Sequence, residues 1–156
     1  MDFPYTITTK SAEETARVGK EIGNKLRTSR IICLYGELGS GKTTFVQGFA
    51  RGLGITTRLL SPTFIIVRRY QTPRRFSFLY HLDLYRLSGE KELEGLGIPE
   101  ILADTSSIVL IEWAEKLGDL MPEKRIDIHF MVKENGDHTI EIKKYGQKDP
   151  TSNSNP

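Results

Sequence analysis

Gly36-Glu37-Leu38-Gly39-Ser40-Gly41-Lys42-Thr43 satisfies G-x-x-x-x-G-K-[ST], a spacing in which each residue type answers a need of phosphate binding. Glycines let the backbone turn several N–H groups onto one anion, and a helix starting behind them adds the positive end of its dipole. Lys42 is long enough to reach β- and γ-phosphate oxygens, and the Thr43 hydroxyl suits Mg²⁺. A glycine-rich turn with a surface lysine would need no particular neighbours. Here the apolar run Ile31–Tyr35 precedes the loop and a helix-forming stretch, Phe45 to Leu53, follows it and stops at Gly54, which is the strand–loop–helix order that a phosphate loop requires.

A phosphate loop says nucleotide and Mg²⁺ without saying what the nucleotide drives, so other residues must decide. Asp83 in His81-Leu82-Asp83-Leu84-Tyr85-Arg86 and Glu112 after Ile108-Val109-Leu110-Ile111 each stand at the end of a strand-like run. Ligands of open parallel sheets bind beyond the carboxyl ends of the strands, which lets both acids face the loop and hold Mg²⁺ or its waters. Ser61-Pro62-Thr63-Phe64 falls where phosphate-loop switches carry a threonine, although a helix-to-strand turn reads the same way. Trp113 fits either a cover over the nucleotide or a half-buried aromatic on the sheet. Arg68, Arg69, Arg74 and Arg75, interleaved with Tyr70 and Phe76, suit a charged edge that discourages sheet aggregation better than a docking or RNA-facing patch. His81, His129 and His138 have no metal-ligand spacing, no G-x-S-x-G supports a serine nucleophile, and Cys33 reads as a core residue.

The elements that must position these groups follow from periodicity. Pro4 to Thr9 reads as a strand, and Ser11-Ala12-Glu13-Glu14 as a capping box opening a helix. Along that helix Ala12, Ala16, Gly19, Ile22, Gly23 and Leu26 make one small, apolar face suited to packing on a sheet. Thr63 to Val67 and Phe76 to Leu84 form an antiparallel hairpin across Gln71–Arg75; Ser88 to Leu96 and a segment starting at Pro99 are short helices; Ser107 to Ile111 is a buried strand. Arg125 to Val132 and His138 to Lys144 flank Asn135-Gly136, where both turn residues tolerate positive φ. The expected fold is α/β: a single domain over 1–146 with a central, mostly parallel sheet, flanking helices and antiparallel hairpins, then a polar tail over 147–156.

Composition agrees with one core. The chain has 156 residues, 38% hydrophobic and 27% charged, enough for one core and not two. Twenty-two basic against 20 acidic residues leave +2, too balanced for the broad positive field of a non-specific nucleic-acid binder. A single cysteine, no signal-peptide pattern and no membrane-length apolar run make a soluble, cytoplasmic protein the expectation.

Taken together, the motifs at 36–44, 61–64, 81–86 and 110–113 (Leu-Ile-Glu-Trp) resemble one family, TsaE, also called YjeE, in order and spacing over about residues 5 to 142. Its members are small P-loop ATPases needed for N6-threonylcarbamoyladenosine at position 37 of tRNAs. The resemblance implies ATP and Mg²⁺ as cofactors, TsaD and TsaB as partners, only indirect contact with tRNA, and hydrolysis that resets the transferase complex. By motif it implies that Leu38, Gly39, Ser40, Gly41, Lys42, Thr43 and Thr44 bind nucleotide and that Thr43 and Glu112 contact Mg²⁺. Lys42, Glu112 and Asp83 are then the catalytic candidates, Thr63 the switch threonine and Trp113 the aromatic near the nucleotide, with Ser11, Ala12 and Gly136 at a further corner of the pocket. A small-molecule or nucleoside kinase is the competing class; it needs an arginine-bearing lid, for which only Arg86 and the hairpin arginines are at hand. A nucleotide-dependent binding module without turnover is the third.

Overall fold

The computed structural model describes residues 5–27, 29–59, 66–73 and 75–146. Thr63 with its Ser61–Phe64 segment, Arg74 and the tail from 147 lie outside them. The described elements run β1 (Tyr5–Thr9), α1 (Ala12–Lys25), β2 (Ile31–Tyr35), α2 (Lys42–Gly52), β3 (Val67–Gln71), β4 (Phe78–Asp83), α3 (Glu90–Gly95), α4 (Ile98–Ala103), β5 (Ile108–Glu112), a kinked 3₁₀ segment (Ala114–Leu120), β6 (Arg125–Val132) and β7 (His138–Tyr145). The strands form one seven-stranded mixed sheet in the order β1-β7-β6-β2-β5-β4-β3. Its middle, β6-β2-β5-β4, is parallel, and antiparallel pairs extend it at both edges.

The parallel strands read as unbroken apolar runs because both faces are covered. Ile32, Leu34, Leu79, Ile108, Leu110 and Ile128 meet α1 and α2, while Cys33, Val109, Ile111 and Leu82 meet the layer of short helices. Burial pushes the Cys33 thiol up to about 12, with the Asp127 carboxylate adding to it, which suits a core residue with no role as a thiolate.

The small-residue face of α1 meets α2 where the periodicity suggests a sheet. A Cβ on Gly48 would stand 1.9 Å from the Ala16 carbonyl oxygen, and one on Gly19 2.3 Å from that of Phe45, so the two helix backbones touch with no side chain between them. Ile22 and Leu26 still reach the sheet core beyond them. Ser11 caps α1 by accepting from Glu14 N–H at 3.2 Å, as the capping box requires, but Glu14 Oε2 returns to Lys10 N–H rather than to that of Ser11.

Other boundaries shift for local reasons. α2 opens at Lys42, directly on the glycine loop, and not at Phe45. Residues 133–137 connect β6 to β7, with Gly136 N–H donating to Lys133 O at 2.9 Å, and of the two turn residues Asn135 and Gly136 only Gly136 takes positive φ, at 88°. β3 is an edge strand, as the arginines suggest, yet Tyr70 and Phe76 pack against the core and Arg75 donates to the Leu26 carbonyl. Among the described residues no helix is long and apolar enough to cross a membrane.

Candidate nucleotide site

Parallel pairing brings the carboxyl ends of β2, β4 and β5 to one edge of the sheet. Register puts Leu34 beside Glu112 and Asp83 beside Glu112, so the loop leaving β2 and the two acids share a cleft of about 570 Å³. The cleft is lined by Leu38, Gly39, Gly41, Lys42, Thr43 and Thr44 from the loop and first turn of α2. Asp83, Glu112 and Trp113 form the facing wall, and Ser11, Ala12 and Gly136 one corner. Of the site residues expected from the sequence, Ser40 is buried behind this surface, and its carbonyl oxygen accepts from His138 Nδ1 at 2.8 Å.

The loop takes its shape from backbone angles only glycine adopts without strain. Gly39 and Gly41 have φ of 77° and 105°, and Gly41 is the N-cap of α2 with no side-chain cap. The first-turn N–H groups of an eleven-residue helix therefore face the cleft without a capping oxygen. Lys42, only 6% exposed, donates to the carbonyls of Gly36 and Glu37 and lies 4.8 Å from the Trp113 ring centroid. Burial lowers its pKa; the charges of Glu112, Glu115, Asp83 and Glu37 work the other way. Trp113 holds this place with φ 59°, a left-handed conformation that costs a bulky residue on the order of 1–3 kcal/mol. Its ring also packs at 5.0 Å on Tyr85, whose ring in turn has the Lys116 ammonium 5.8 Å from its centroid.

The two acids differ. Burial raises the Asp83 pKa, and the neighbouring Glu112 charge adds to this against the Tyr85 N–H bond to Asp83 Oδ1 at 3.1 Å. Glu112 is held by His81, whose Nε2 stands 2.7 Å from Glu112 Oε2. Among the described residues no cluster of three or more His, Cys, Asp or Glu side chains could chelate an ion unaided. The Thr43 hydroxyl and the Asp83 and Glu112 carboxylates on the cleft wall are instead hard oxygen donors of the kind Mg²⁺ takes when phosphates supply the rest.

Some cleft features are not evident from motifs. His138 and Thr15 line the corner near Gly41, and nothing in the sequence links them to the loop 98 residues away from His138. His81 had a readable signal: it precedes Asp83 by two on a strand, which places both on one face.

Comparison with known proteins agrees with this geometry. The family model described as "Threonylcarbamoyl adenosine biosynthesis protein TsaE" matches residues 9–140. The tRNA threonylcarbamoyladenosine biosynthesis protein TsaE of Bacillus subtilis is 39% identical over 134 residues, covering 86% of this chain and 80% of its own. The protein of the same name from Treponema pallidum is 36% identical, covering 85% and 96%. The crystal structure of Bacillus subtilis YdiB superposes with a TM-score of 0.73 at 30% identity, over 94% of this chain and 88% of that one.

Proposed function

The chain belongs to the TsaE family and so to tRNA threonylcarbamoyladenosine biosynthesis; on that footing we propose that it binds and hydrolyses ATP with Mg²⁺, coupling hydrolysis to turnover of a TsaD–TsaB transferase complex in the cytoplasm. One observation carries the reading: the glycine loop with Lys42 and the Asp83–Glu112 pair converge on a single cleft. Loop N–H groups and Lys42 hold the β- and γ-phosphates, with Leu38 to Thr44 as the cradle. Thr43 and Glu112 would hold Mg²⁺, which when bound neutralises charge on the phosphate oxygens. Glu112 also orients the attacking water in this reading, while Asp83 shapes the metal side of the site. Thr63 is proposed as the γ-phosphate sensor and Trp113 as the aromatic wall, with Ser11, Ala12 and Gly136 enclosing the nucleotide's far end.

A switch that reads γ-phosphate has to present different surfaces in its ATP and ADP states, and so binds its partners differently in each. tRNA is then reached through the partners. Phosphate release should be measured with and without TsaD and TsaB and with no other phosphoryl acceptor. Slow release that the partners accelerate is expected. Transfer only to an added acceptor would turn the reading to a kinase, and nucleotide binding without turnover in any mixture would turn it to a binding module.

A further inference from the structure

His81 stands behind the cleft wall. It is 3% exposed, lies on β4 in register with Leu110, and is not among the residues lining the cleft. Its Nε2 meets Glu112 Oε2 at 2.7 Å, while Nδ1 is buried without a hydrogen-bond partner among the described residues. A carboxylate only accepts, so Nε2 carries the proton and donates whatever the charge on the ring. That arrangement is poor as pure structure. An apolar side chain would fill the same core position without leaving a buried nitrogen unpaired. What the imidazole supplies instead is a fixed partner for one oxygen of a three-torsion side chain, and a planar carboxylate with Oε2 fixed has Oε1 fixed as well.

We propose that His81 is a positioning residue for ATP hydrolysis, its Nε2–H locking Glu112 so that the free carboxylate oxygen is held toward the cleft. This rests on the ATPase reading above. Hydrogen bonds that orient a metal- or water-holding group typically change activity by about 10- to 100-fold when removed, and that is the loss expected in kcat for His81→Leu.

Steady-state ATP hydrolysis by the full chain, titration with a fluorescent ATP analogue and thermal melting should be compared for His81→Leu, His81→Asn and His81→Gln, with Lys42→Ala as background. A glutamine amide nitrogen falls near the Nε2 position and an asparagine one near Nδ1. The expected pattern is a low kcat in the leucine and asparagine variants, nucleotide affinity within roughly threefold of wild type, and substantial recovery of kcat in the glutamine variant. Wild-type kcat in a folded His81→Leu protein, or no advantage of glutamine over asparagine, overturns the proposal while leaving the ATPase reading intact. If the wild-type chain does not exceed the Lys42→Ala background with or without partners, both fall. Independently of any variant, ¹⁵N–¹H spectra of the wild-type imidazole should show a proton on His81 Nε2; a ring protonated only on Nδ1 overturns the assignment.

Discussion

The two walls of the cleft are built by different means. One is local: β2, the glycine loop and the first turn of α2 are consecutive, so residues 36 to 44 are positioned by the strand and helix that flank them in the chain. The other is assembled from β4, β5 and the β6–β7 hairpin, so that Asp83, Glu112 and His138 share one cleft only when the five strands β7-β6-β2-β5-β4 are in register. The local wall has glycines where it needs shape. The assembled wall has strain and desolvation: Trp113 at positive φ, a raised Asp83 and a buried His81–Glu112 pair. Conformation is therefore the fragile property of the first wall, and electrostatic arrangement that of the second.

The largest expected effect breaks the support of the local wall. Gly48→Ala would gain helix propensity of about 1 kcal/mol, but its Cβ would meet the Ala16 carbonyl oxygen at 1.9 Å, against backbone that cannot swing aside. The clash should win, with a net loss of about 3 kcal/mol or more on urea denaturation. Gly39→Ala is the control, since nothing lies within 4 Å of its Cβ; only its φ of 77° is penalised, at about 1–2 kcal/mol. Equal losses at the two positions would contradict the helix-contact explanation.

Lys42→Ala comes next, and it separates chemistry from fold in the same wall. The lysine's ammonium is desolvated and bonded to its own loop's carbonyls, so its removal should leave stability within about 1 kcal/mol while phosphate release falls by about 10²–10³-fold. Glu112→Gln tests the assembled wall more gently: nucleotide affinity should hold within a few-fold while kcat drops by about 10²-fold. Loss of affinity with kcat unchanged would make Glu112 a binding group only.

This contrast also explains what could be read in advance. The phosphate loop, the ends of β4 and β5 and the turn at Gly136 were legible because each is a local pattern with a local cause. The partner of α1 was not, because a stripe of small residues says that something approaches closely without saying whether it is a strand or Gly48 and Gly52 of another helix. His81 was legible as sharing Asp83's face, but its bond to Glu112 depends on the β4–β5 register, which no single segment encodes. His138 over Ser40 depends on the sheet order itself.

The smallest predicted effect asks how far the two acids of the assembled wall act as a pair. Asp83 sits above its ordinary 3.8 mainly because it is buried, with the Glu112 charge second and the Tyr85 N–H, His81 and Lys42 opposing. Since its folded pKa exceeds the unfolded one, the folded chain binds this proton more tightly. The group's contribution to stability is thus full below pH 3.8 and is lost as pH rises through the raised value. Glu112→Gln removes the repelling charge and leaves burial in place, so Asp83 should titrate at lower pH than in wild type yet still above 3.8. Side-chain ¹³C carboxylate shifts of Asp83 against pH measure this directly. A fall to the ordinary value would mean that the Tyr85 N–H, His81 and Lys42 fully offset burial and that the Glu112 charge alone accounts for the net rise. No change would mean that the two carboxylates, though paired in register, are screened from one another, and the assembled wall would then be two independent acids.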